Sequence, residues 1–179
     1  MTTLPRGLTA AALSLFATAA LAVGADDSDP PQPTQTTTQC ADGQVWDDKS
    51  GACVKADSSS LDDDLRYGAA RELAHAGRYD EAMIVLSAAD NPEDPRILNY
   101  KGFVHRKTGD NDAAMAFYRR ALEIDPDYIL ARSYMGQGLA DLGDMDGARA
   151  QLAEIRARGG RETWAYVALK QAITTSGGY

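Results

Sequence analysis

Two cysteines, two histidines and one run of aspartates are the residues in this chain whose types and spacing invite a chemical reading. Cys40 and Cys53 bracket a short loop. Free thiolates would serve as nucleophiles or metal ligands, whereas two cysteines in an exported chain most simply pair as a disulfide. His75 and His105 have no cysteine or acid-rich spacing beside them, so they do not form a zinc-ligand pattern. Asp62, Asp63 and Asp64 look like paired carboxylates for acid–base work, but they stand where a helical pattern begins. Negative charge there complements the positive end of the helix dipole. The sequence has no glycine-rich phosphate loop, no Gly-x-Ser-x-Gly and no His-Glu-x-x-His. The expectation is a non-enzymatic protein with neither metal nor cofactor.

The elements that must position these residues fall into blocks. Arg6 precedes an apolar run from Leu8 to Val23, which ends in Val23-Gly24-Ala25. This is the layout of a secretory signal peptide over 1–25, with cleavage after Ala25 and Ala22 as the other candidate. The run is shorter than the ~20 apolar residues of a spanning helix, and no later segment could cross a bilayer. The chain is therefore expected to be exported, periplasmic or secreted, with no stable membrane insertion after cleavage. Residues 26–39 hold three prolines and no aromatic or large aliphatic side chain, which predicts a disordered linker. Residues 40–54 form the disulfide mini-loop. Within it Val45 and Trp46 lead into the turn-rich run Asp47 to Gly51, which suggests a small hairpin. Loop closure of this size contributes roughly 3 kcal/mol. Ser60 with Asp63 reads as a capping box opening the helical region.

Charge is unevenly placed. Residues 26–64 carry ten acids against Lys49 and Lys55, while 65–179 carry sixteen acids and fifteen Lys or Arg. The acidity belongs to the N-terminal segment, and the nearly neutral remainder lacks the basic footprint that nucleic-acid binding requires.

From Asp62 the sequence repeats itself. Gly77, Gly109 and Gly143 recur at intervals of 32 and 34, and Ala82, Ala114 and Ala148 recur at the same intervals. Each glycine ends one helical stretch, and an Asp- or Asn-rich turn opens the next. Gly102, Gly109, Ala114, Ala121 and Asp125-Pro126 in the middle copy, with Met135-Gly136 in the third, resemble the tetratricopeptide repeat. The resemblance implies an all-α, right-handed superhelix of about three helix–turn–helix repeats over 62–94, 95–128 and 129–159. A C-terminal capping helix follows over 161–175. In that helix Trp164, Val167, Ala168 and Gln171 form one face, with Ala165, Leu169 and Ala172 beside it.

In that family the first helices of successive repeats line a groove that holds a partner peptide or helix. Carried over, the lining positions are Tyr67, Arg71 and His75, then Arg96, Asn99, Phe103, Arg106 and Lys107, then Leu130, Ser133, Gln137 and Asp141. The first two sets are basic with aromatic interleaving, so an acidic partner peptide and the chain's own acidic tail compete as occupants. The expected role is a scaffold or assembly adaptor binding a protein partner. The alternative is carbohydrate or cell-wall binding through the Trp46 loop, which loosely resembles small secreted carbohydrate-binding modules.

Overall fold

The computed structural model describes residues 30–176, and the expected signal peptide lies outside them. A short helix α1 (Gln35–Gln39) and a two-stranded antiparallel hairpin, β1 (Val45–Asp47) with β2 (Ala52–Val54), precede seven longer helices. These are α2 (Asp63–His75), α3 (Tyr79–Ser87), α4 (Pro95–Lys107), α5 (Asn111–Ile124), α6 (Ile129–Asp141), α7 (Met145–Ala157) and α8 (Trp164–Ser176). The pairs α2/α3, α4/α5 and α6/α7 are the three expected hairpins. The fold is an all-α helical repeat of the tetratricopeptide type.

Each hairpin turns by the same device. Gly77, Gly109 and Gly143 hold left-handed backbone with φ of 77°, 92° and 82°. That geometry lets Arg78, Asp110 and Asp144 donate their amides to the carbonyls of Leu73, His105 and Leu139 at 2.9, 2.8 and 2.9 Å. Asp110 and Asp144 then cap the second helix through their carboxylates. Between helices, small residues set the spacing. Ala82, Ala114 and Ala148 are fully buried. A Cβ on Gly102 would lie 2.7 Å from the Tyr118 ring, and one on Gly136 would lie 2.7 Å from Leu169. A continuous apolar core therefore runs from Val45 in the hairpin to Ala165 in α8.

Four expectations need correction. The segment from residue 30 is not a free linker. Glu72 of α2 accepts hydrogen bonds from the Thr34 amide (2.6 Å), the Thr34 hydroxyl (2.7 Å), the Thr37 amide (3.2 Å) and the Thr37 hydroxyl. Arg78 donates to the carbonyls of Thr37 and Cys40 at 3.1 and 2.9 Å. A segment with few apolar groups is thus ordered by part-buried polar bonds, which composition does not reveal. The Cys40–Cys53 disulfide and the hairpin form as expected, but the loop is not a separate unit. Val45 enters the core, the Gly43 amide bonds Glu81 at 2.9 Å, and the buried Arg66 grips the carbonyls of Ala56 and Ser58.

The capping box also differs. Asp62 caps α2 by accepting from the Leu65 amide at 2.9 Å. Asp63 instead takes the amides of Asp90 and Asn91, at 2.8 and 2.7 Å, and so ties the start of α2 to the loop after α3. At the other end, α8 buries Ala165 and Leu169 while Val167 is 56% exposed, so its packed face is rotated from the one expected.

Candidate functional site

The first helices α2, α4 and α6 lie side by side, with α8 packed against α6. Residues at one-repeat spacing therefore stack across the array, and the result is an aromatic row. Tyr67 meets Tyr100 edge-on with ring centres 5.6 Å apart, and Tyr100 meets Tyr134 at 6.0 Å. Phe103 lies 4.9 Å from Tyr134 and stacks on His75 at 5.4 Å. His75 also reaches Trp164 of α8 at 6.4 Å. Its Nε2 lies 3.2 Å from the Tyr134 hydroxyl and 3.4 Å from that of Tyr100. One α2 side chain thus meets residues of α4, α6 and α8. Burial, with the Arg71 and Lys107 charges nearby, pushes the His75 pKa down to about 4, which keeps the ring neutral at neutral pH.

Most of the expected groove residues are buried or paired. Tyr67, Arg71, Asn99 and Phe103 are buried, as are Leu130 and Ser133. The Ser133 hydroxyl donates to the Ala165 carbonyl at 2.6 Å, which ties α6 to α8, and accepts from Gln137 at 3.1 Å. Arg96 is paired with Asp94 at 2.7 Å and Asp64 at 2.8 Å, and its guanidinium lies 4.9 Å over the Tyr67 ring. The hydrogen bond to Asp94 is the main cause of its raised pKa, with Asp64 adding to it against the cost of burial.

Arg106 pairs with Asp141 at 2.9 Å. Burial opposes its charge, and the neighbouring Tyr118 hydroxyl and Asp141 carboxylate more than offset this. Lys107 sits 5.6 Å over the Phe103 ring, and burial with the Arg106 charge lowers its pKa. Arg106 and Lys107 do gather over Phe103, but Arg96 and Arg106 carry carboxylates of the same chain. The face is therefore not the open basic stripe the sequence suggested. Tyr100, Tyr134 and Trp164 are the members of the row that were not counted as lining residues. The interval of 34 between the two tyrosines was the available signal.

Residues 105–173 match the tetratricopeptide repeat family. The match takes in α5, α6 and α7 together with most of α8, so α8 stands where the first helix of a further repeat would. The chain is also similar to the probable biofilm formation methyltransferase WspC of Pseudomonas putida, at 33% identity over 102 residues. That alignment covers 56% of this chain and 24% of the relative, so the chain spans about a quarter of that protein's length. No solved structure matches.

Proposed function

We propose that this chain is an exported, non-enzymatic protein-interaction module, a scaffold or assembly adaptor whose partner segment contacts the inner-helix face. What supports this is the face formed by the first helices of three stacked repeats, which is held together from beneath by the buried Tyr100, Phe103 and Tyr134 and presents the exposed Lys107 beside Arg106 at its edge. Repeats of this kind generally mediate protein–protein contact, and a continuous array offers an extended surface rather than a pocket. Because Arg96 and Arg106 are already paired, an acidic peptide gains less there than a basic stripe would offer. Exposed ion pairs contribute only about 0.2–1 kcal/mol. The partner segment is expected to lie along the exposed edge of these helices, with Lys107 as its charge contact.

Site-specific photo-crosslinking in the native envelope tests this. A crosslinker at Lys107 should trap a discrete partner band that one at Arg119 does not. Equal trapping at both positions, or none at Lys107, would remove the inner face as the contact surface.

A further inference from the structure

The described glycines other than Gly68 either hold left-handed backbone or sit where a Cβ would collide with a neighbouring atom. Gly68 lies in the middle of α2, in ordinary helical conformation, and no described neighbour falls within 4 Å of the Cβ it lacks. Glycine inside a helix is destabilising relative to alanine. Neither turn geometry nor packing explains its presence here.

Gly68 does line a cleft of about 360 Å³ between α2 and the disulfide hairpin, with Trp46 on the hairpin side. This falls within the size range of small-ligand sites, roughly 300–1,000 Å³. Trp46 is half-buried, and its indole N–H donates to Asp48 Oδ1 at 2.9 Å. What the ring still offers a ligand is therefore carbon surface. Polar groups surround it: Asp48 and the Arg96-paired Asp64 supply carboxylate oxygens, Gln32 and Gln35 supply amides, and Arg71 and Glu72 also line the cleft.

An aromatic surface ringed by acceptors and amides, above a strip of helix stripped of its side chain, matches a ring with apolar C–H faces and a hydroxyl edge. We propose that the cleft between Trp46 and Gly68 binds a neutral or N-acetylated pyranose. The site is separate from the inner-helix row and does not depend on it.

The test uses the full, oxidised chain in a Trp164→Phe background, so that fluorescence reports Trp46 alone. It is titrated with cellotriose and with tri-N-acetylchitotriose, and calorimetry is run in parallel. One of the two sugars should shift the Trp46 emission and release heat. Gly68→Leu, which fills the cleft while improving helix propensity, should weaken binding at least about tenfold with helicity and Tm equal or higher. Trp46→Ala should weaken it likewise, which keeps the test open if the leucine variant misfolds. The proposal is overturned if neither sugar binds at millimolar concentration, or if binding survives these substitutions with a smaller loss.

Discussion

The two ends of the helical stack are closed by different physics. At the C-terminal end α8 docks through shape: Leu169 sits where a side chain on Gly136 would be, Ala165 is buried, and one hydrogen bond from Ser133 sets the register. At the N-terminal end α1 and the hairpin dock through ionised groups in addition to the buried Val45. Glu72 holds Thr34 and Thr37, Arg78 holds the Thr37 and Cys40 carbonyls, and Arg66 holds those of Ala56 and Ser58. An apolar joint tolerates modest misfit but loses energy with every methylene removed. A joint made of partly buried charges is weakened when a single partner is removed, because the groups left behind lose a charge-assisted hydrogen bond.

Four measurements sharpen or break that comparison. The largest effect is expected from Leu169→Ala, which leaves a cavity at a fully buried position and should cost about 2–5 kcal/mol in chemical denaturation. Hydrogen exchange should show the loss in α6–α8 and leave α1 and α2 protected. Replacing both cysteines with serine comes next, at roughly 3 kcal/mol on loop-closure grounds. That loss should appear as faster exchange in β1 and β2, with the later repeats unchanged.

Glu72→Ala follows. It orphans the amides and hydroxyls of Thr34 and Thr37 and should cost about 1–3 kcal/mol, confined to α1 and the facing turn of α2. A Glu72 variant that deprotects α6–α8 as much as α1 would show that the ends are not independent.

The smallest effect at neutral pH concerns His75. Its pKa falls from 6.5 to about 4 in the folded state, so the unfolded chain takes up the proton first on acidification. The contribution is fully present above pH 6.5 and is lost as pH falls toward 4. His75→Gln should flatten the stability profile in that window, and an unchanged slope would assign the acid sensitivity to the carboxylate joint at the N-terminal end.

The repeats were legible because their determinants are local and periodic. Gly77, Gly109 and Gly143 are needed where the backbone turns left-handed. Ala82, Ala114 and Ala148 mark the places where helices touch, and a fixed interval identifies both sets without coordinates. The disulfide was legible for a related reason, since two cysteines in such a loop leave little choice of partner. The candidate interaction face was only half legible. Its helices and positions followed from the repeat, but whether Arg96 and Arg106 stand free depends on where Asp64, Asp94 and Asp141 fall in space.

The sequence by itself determined the number of hairpins, their turns and the small residues that space them. Each of these is set by backbone conformation and side-chain volume within one repeat and its neighbour. Tertiary structure alone decided that a proline- and threonine-rich segment is ordered on Glu72 and that a basic stripe is neutralised from within. It also decided that His75 joins four helices in one row. Those outcomes depend on polar and aromatic groups distant in sequence meeting in space, where hydrogen bonds, ion pairs and ring contacts form only once the helices are packed. No periodicity along the chain records such meetings.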